Sequence, residues 1–225
     1  MHYVISDIHG CYEQFRQLLD IIEFKEDDVL YVLGDAVDRG PEPVKVLELM
    51  SLYPNIYPLM GNHEYMMLNV LPQLLEEVTE DNIESTLTFD FMNHYDTWMR
   101  NGGDTTIKGF KELSREDRSF YMDYVSEFTL YETLNVDGTS YLLIHSLPSD
   151  YDGKGSIEHS VEEILFGRPD FYRKWDQDTV IIVGHTPTDG EVVRQGNLIN
   201  IDGGCVFGGK LCILCLETQE VVSVE

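Results

Sequence analysis

Basic residues are scarce in this chain. Against 41 Asp and Glu there are only 15 Lys and Arg, a formal charge of −26. So few cations argue against a surface that neutralises a nucleic-acid backbone or an anionic bilayer. Long apolar runs are missing too, and no stretch reaches the ~20 residues that a membrane span requires. Residues 2–5 enter an apolar strand pattern at once, without the basic and apolar regions of a signal peptide. Cysteine is limited to Cys11, Cys205, Cys212 and Cys215. The last two have CxxC spacing, but they lie in the strand-like run Lys210–Leu216. Residues three apart in a strand point to opposite faces, so these thiols diverge and read as core atoms rather than a redox or zinc pair. The expectation is a soluble, cytoplasmic protein with neither nucleic acid nor membrane as partner.

The 225 residues, 43% of them hydrophobic, suffice for one α/β domain over 1–225. The first third alternates strands and helices. Apolar runs at Tyr3–Ser6, Val29–Leu33 and Asn55–Met60 enclose helical spacing at Phe15, Leu18, Leu19 and Ile22, and again at Val44, Val46, Leu47 and Met50. This βαβαβ order predicts parallel strands with right-handed crossovers. Residues at about 65–128 read as a helical insertion, with helices near 65–79, 90–100 and 114–127 and a break at Asn101–Asp104. That break is either a helix stop or a loop over a site. The run from Glu76 to Asp81 reads as a solvated helix face. Strands return afterwards: 128–134 and 140–144 flank the hairpin signal Val136-Asp137-Gly138, and further runs occupy 179–183, 191–195, 197–201, 211–216 and 220–224.

The chemistry lies at the strand ends. Asp7 and His9 follow the first strand; Asp35, then Asp38 and Arg39, follow the second; Asn62 and His63 follow the third. Later strands end at His145 and His185. Ligands of open α/β sheets bind outside the carboxyl ends of the strands. Five ends therefore deliver carboxylate, imidazole and amide groups to one edge. Single Asp-Gly pairs could be turn chemistry, but turns need no histidine at each strand end. These donors suit Mn²⁺, Fe or Zn²⁺, and Asp35 is the central candidate to bridge two ions ~4 Å apart. Two divalent ions, less Asp7, Asp35 and a hydroxide, leave the site at about +1, so a phosphate could bind in spite of the overall charge. His2, His94 and His159 read as surface or satisfied histidines, Asp202 as a loop-stabilising carboxylate, and Met66, Met67 and the aromatics of 89–98 as packing.

Ser6-Asp-Ile-His-Gly10, Gly34-Asp-Ala-Val-Asp-Arg-Gly40, Gly61-Asn-His-Glu64, His145 and Gly184-His-Thr186 resemble, in order, the five motifs of the phosphoprotein phosphatase family within the calcineurin-like metallophosphoesterases. The resemblance implies an α/β four-layer sandwich of two mixed sheets flanked by helices. It implies two divalent metal ions, Mn²⁺ foremost, with Asp7 and His9 holding the first, Asp35 bridging, and Asn62, His145 and His185 holding the second. It further implies in-line attack by a hydroxide between the ions, with His63 as general acid oriented by Asp38. Arg39 would clamp the phosphate together with Asn62 and a second arginine, Arg168 or alternatively Arg173. Where some phage-type relatives carry an arginine before Gly-Asn-His-Glu, Leu59 stands here. The implied substrate is a phosphorylated protein, through a serine/threonine phosphatase of bacterial type, or else a small phosphorylated molecule, as in a symmetrical diadenosine tetraphosphatase. A non-catalytic binding protein on the same fold would lack ligands, and none of the expected types is missing.

Overall fold

A computed structural model describes residues 1–76, 88–151, 157–170 and 178–225. Two mixed five-stranded sheets form its centre. In chain order the strands are β1 (His2–Ile5), β2 (Val29–Val32), β3 (Ile56–Pro58), β4 (Tyr131–Val136), β5 (Thr139–Ile144), β6 (Thr179–Val183), β7 (Val193–Gln195), β8 (Leu198–Asn200), β9 (Leu211–Cys215) and β10 (Val221–Val224). The first sheet has the order β10-β9-β1-β2-β3 and the second β4-β5-β6-β8-β7. As the βαβαβ pattern predicts, β1, β2 and β3 are parallel, with α1 (Tyr12–Ile21) and α2 (Pro43–Leu52) as crossovers. Asp137 and Gly138 both have positive φ between the paired residues Val136 and Thr139, the backbone that a two-residue Asp-Gly hairpin requires.

Strand alternation divides the apolar residues among three clusters. Val4, Leu143, Ile182 and Leu214 point between the sheets. Their chain neighbours Ile5 and Ile213 point to the helices on the outer face of the first sheet, where they meet Phe15, Leu47 and Trp98. Leu142, Ile144, Ile181 and Val183 point outward from the second sheet onto Ile164 of α7 (Val161–Phe166). The result is four layers, helices–sheet–sheet–helix. Leu143, fully buried between the sheets, contributes on the order of 1.5–3 kcal/mol by leaving water. Leu59 is buried in the same central cluster. Cys212 and Cys215 lie buried in β9, their sulfurs facing the Gly190 carbonyl and Glu217 Oε2 respectively, so the CxxC spacing does not gather them.

The first helix between the two groups of strands begins earlier than the periodicity indicates. Helix α3 runs Asn62–Leu75, so Asn62 and His63 occupy its first turn rather than a strand exit. Helices α4 (Phe89–Arg100), α5 (Asp104–Glu112) and α6 (Arg115–Ser126) follow. Helix α5 escapes sequence reading because Gly102-Gly103 ahead of it and Gly109 within it weaken the helical signal. Most of the acidic run that follows Glu76 lies outside the described residues.

Candidate active site

The strand ends converge as their residue types require. Asp35 is the centre: its Oδ2 lies 3.5 Å from His9 Nε2, and its Oδ1 lies 3.5 Å from His145 Nε2. His185 Nδ1 is 3.1 Å from His145 Nε2, and Asn62 Oδ1 is within 3.0 Å of both imidazoles. Asp7 Oδ1 sits 4.0 Å from His9 Nε2, while Asp7 Oδ2 accepts from the Ser6 hydroxyl and from the His185 backbone N–H. Second partners fix the histidine tautomers. His9 Nδ1 faces the Val37 carbonyl at 2.8 Å and His145 Nδ1 the Leu33 carbonyl at 2.7 Å. Those nitrogens must carry the protons, so each Nε2 offers its lone pair to the cluster.

The backbone is strained to bring these groups together. Nine non-glycine residues have positive φ among the described residues, and six of them are Asp7, His9, Asp35, Asp38, Arg39 and His185. Each such residue costs on the order of 1–3 kcal/mol and persists only where the surroundings impose it. The motif glycines supply the close approaches: a Cβ at Gly61 would lie 2.2 Å from Asp35 Oδ1.

Electrostatically the site is frustrated in a way that cations relieve. Burial, with the charge of Asp202 for Asp7 and of Asp7 and Glu64 for Asp35, pushes both carboxyls well above the usual range. Burial drives His9 and His145 well below theirs, and burial with the charge of Arg168 brings His185 down to about 3. The imidazoles are therefore neutral and able to act as ligands, and the carboxylates call for positive partners. His63 Nε2 is buried without a hydrogen-bond partner, 3.9 Å from Asp35 Oδ2. Two donor triads, His9–Asp35–His63 and Asp35–His145–His185, have all their donor atoms within 4.8 Å of one another. Both include Asp35. The donor set thus fits two oxygen- and nitrogen-loving divalent ions that share one carboxylate.

This geometry can be set beside known proteins. The family model described as calcineurin-like phosphoesterase matches residues 3–219. The chain belongs to the calcineurin-like phosphoesterase family. It is 36% identical over 97% of its length to a symmetrical bis(5'-nucleosyl)-tetraphosphatase of Erwinia tasmaniensis, covering 95% of that protein. It is 29% identical to the asymmetrical bis(5'-nucleosyl)-tetraphosphatase PrpE of Halalkalibacterium halodurans, over 98% of this chain and 92% of the other. Among solved structures, a candidate diadenosine tetraphosphatase superposes with a TM-score of 0.68 at 18% identity, over 99% of this chain and 92% of that one. The protein is thus a metal-dependent phosphate ester hydrolase. These relatives are named for small nucleotides, where the sequence motifs by themselves placed a phosphoprotein first.

The phosphoesterase secures its centre with residues that motif reading leaves without a role. The buried Glu64 accepts from four backbone N–H groups: Asp35 and Gly61 on Oε2, Ala36 and Val37 on Oε1. One carboxylate thereby ties the loop after β2 to the start of α3. Its sequence signal is the glutamate three residues after a helix-capping position. Glu64→Ala would orphan all four donors, at roughly 1–3 kcal/mol each before water relieves some. The expected result is a melting temperature lowered by ten degrees or more for a domain of this size, about 2–4 °C per kcal/mol. A calorimetric midpoint within two degrees of the unmodified protein would refute the tie.

Asp38 is fully buried and faces His63 Nδ1 at 2.7 Å. Trp98 Nε1 of α4 donates to the same oxygen at 2.7 Å, and the Thr106 hydroxyl of α5 donates to the other at 2.6 Å. Burial pushes this carboxyl up to about 7, against the opposing pull of Thr106, Trp98 and Arg39. Trp98 and Thr106 have no local signal, since they meet Asp38 only when α4 and α5 pack. The Asn101–Thr105 segment turns out to be both a helix stop and a contact with the site. The Gly102 carbonyl accepts from Arg39 N–H at 2.9 Å, and at φ +92° a Cβ there would lie 2.9 Å from Arg39 Cγ.

Arg39 Nη1 donates to His9 Nε2 at 2.6 Å, and its guanidinium lies 5.1 Å from the centroid of the exposed Phe207 ring. Arg168 is exposed, and its positive charge helps to lower both His185 and Asp202. Its neighbour Gly167 accepts from Ser146 Oγ, next to His145, at 2.5 Å. Arg173 lies outside the described residues. Asp202 Oδ1 accepts from Gly204 N–H at 2.9 Å, as a loop carboxylate does. His2 pairs with Glu217, His159 pairs with Asp150 through Nε2 while its Nδ1 is buried without a partner, and His94 is exposed. Among the described residues no helix is long and apolar enough to cross a membrane.

Proposed function

We propose that this phosphoesterase hydrolyses dinucleoside polyphosphates at a two-metal centre. Asp7 and His9 would hold one ion, Asn62, His145 and His185 the other, and Asp35 both. The observation that carries the chemistry is Asp35, whose two oxygens lie 3.5 Å from the Nε2 atoms of two different histidines. The substrate class rests on the full-length kinship to bis(5'-nucleosyl)-tetraphosphatases. When bound, the ions, Mn²⁺ foremost with Fe or Zn²⁺ as alternatives, supply positive charge to phosphate oxygens and acidify an attacking water.

The protein groups do the rest. Arg39 offers a planar fork that matches two phosphate oxygens, and Arg168 adds a second cation. Asn62 can donate its amide N–H to a phosphate oxygen while its Oδ1 stays with the histidines. His63 turns Nδ1 to Asp38 and Nε2 into the site, so a proton on Nε2 can pass to the leaving oxygen. Asp38 accepts a hydrogen bond from Nδ1–H, which orients the ring with Nε2 toward the site.

The test compares diadenosine tetraphosphate, a phosphoserine peptide and para-nitrophenyl phosphate, each with Mn²⁺, Fe²⁺ or Zn²⁺. The expected kcat/KM for the dinucleotide exceeds that for the peptide at least about tenfold, a difference near 1.4 kcal/mol in transition-state binding. Preference for the peptide would return the assignment to a protein phosphatase. Product chromatography separates symmetrical cleavage, giving two ADP, from asymmetrical cleavage, giving ATP and AMP.

A further inference from the structure

A cavity of about 430 Å³ lies between the start of α2 and one face of α5. Its volume falls within the roughly 300–1,000 Å³ of small-ligand sites. Thr105, Lys108, Gly109 and Glu112 line one wall, the i, i+3, i+4, i+7 stripe of a single helix face. The adjacent stripe of α5, with Thr106, Ile107 and Phe110, is buried, and Thr106 holds Asp38. The opposite wall is apolar: Pro41, Pro43 and Val44. Neither proline has an N–H to offer, so this helix start is a poor anion site and a good wall for a flat ring.

Two connections tie the lining of this cavity to Arg39. Pro41 follows Arg39 by two residues, a reach of about 7 Å of chain. The Gly102 carbonyl that accepts from Arg39 N–H at 2.9 Å also accepts from the Thr105 hydroxyl at 3.3 Å. The local charge departs from that of the whole chain. Lys45 and Lys108 balance Glu42 and Glu112, in a protein of net charge −26. Lys45 sits 2.5 Å from Glu42, which leaves Lys108 as the exposed cation of the mouth without an ion pair among the described residues.

We propose that this cavity receives one nucleoside of the dinucleoside polyphosphate, with the base against Pro41, Pro43 and Val44 and Lys108 at its polar edge. The inference rests on the function proposed above for the substrate class. The cavity itself can be tested apart from turnover. Adenosine, which has no phosphate to bind a metal centre, is titrated into the unmodified protein while backbone amide resonances are followed. Glu42, Val44, Lys45, Thr105, Lys108 and Gly109 are expected to shift together and to saturate. Absent or scattered shifts overturn the inference, whatever the enzyme hydrolyses.

Turnover supplies the second arm. Lys108→Glu and Glu112→Trp change exposed residues of the lining, the second by adding a bulky ring. In each, the ratio of kcat/KM for diadenosine tetraphosphate to that for para-nitrophenyl phosphate should fall about tenfold, mainly through KM. An unchanged ratio in both variants overturns the inference. If adenosine moves these six amides but the unmodified enzyme ignores the dinucleotide, the proposed function fails and the nucleoside site stands.

Discussion

Asp35→Asn should strip the enzyme of both metal ions and with them nearly all turnover. Among the described residues, Asp35 is the carboxylate whose two oxygens face both histidine sets. The substitution turns one of those oxygens into an NH₂ that points protons at an imidazole lone pair. Removing even an outer partner of a metal ligand costs ~10–100-fold in affinity or activity, and a shared inner ligand should cost more. The fold should survive. The amide can still accept from His63 N–H, as Asp35 Oδ1 does at 3.0 Å. The metal-free variant should melt no lower than the metal-free parent, because a fully buried carboxylate with a raised pKa is replaced by a neutral group. What disappears is stabilisation by metal. The parent gains about 2.7 kcal/mol at a free-metal concentration ~100 times the Kd, and the variant should gain almost nothing. Elemental analysis after gel filtration, with melting curves at stepped Mn²⁺, reads both effects. Two ions per chain with full activity would remove Asp35 from the bridging role.

His63→Ala is the second large effect, and it settles an ambiguity in the geometry. By distance alone His63 joins His9 and Asp35 as a candidate ligand triad, in competition with Asp7. Its other bonds favour the acid role. Nδ1 is committed to Asp38 at 2.7 Å, and Trp98 and Thr106 hold that carboxylate from the other side. A proton donor needs such an orienting partner, whereas a simple ligand could do with a backbone carbonyl, as His9 and His145 do. The variant should therefore retain two ions and lose ~10²–10⁴ in kcat on substrates whose leaving oxygen must be protonated. On para-nitrophenyl phosphate, whose leaving group departs without a proton, the loss should be much smaller. Loss of one ion would make His63 a ligand, and equal losses on both substrates would deny it the acid role.

How much of the fold and the site is legible in the sequence varies with the range of the interaction. The parallel β1–β2–β3 set follows from local alternation and crossover length, and the hairpin follows from Asp137-Gly138. The start of α3 lies three residues ahead of the periodic pattern because its signal is a capping glutamate rather than apolar spacing. Helix α5 is hidden because its glycines mimic a loop. The substrate expectation moves from phosphoprotein to dinucleoside polyphosphate through kinship. The motifs around the metal edge describe phosphate chemistry common to both.

Residue type and spacing along the chain were enough to name Asp7, His9, Asp35, Asn62, His145 and His185 as one prospective metal edge. Each sits just beyond a strand or at the helix start that follows one, and parallel strands place those ends side by side. Packing alone decided what surrounds that edge. Trp98 and Thr106 reach Asp38 across 60 and 68 residues of sequence, and Gly102 meets Arg39 across 63. Hydrogen bonds of that span depend on how helices seat on a sheet, which no local pattern of hydrophobicity or turn chemistry encodes.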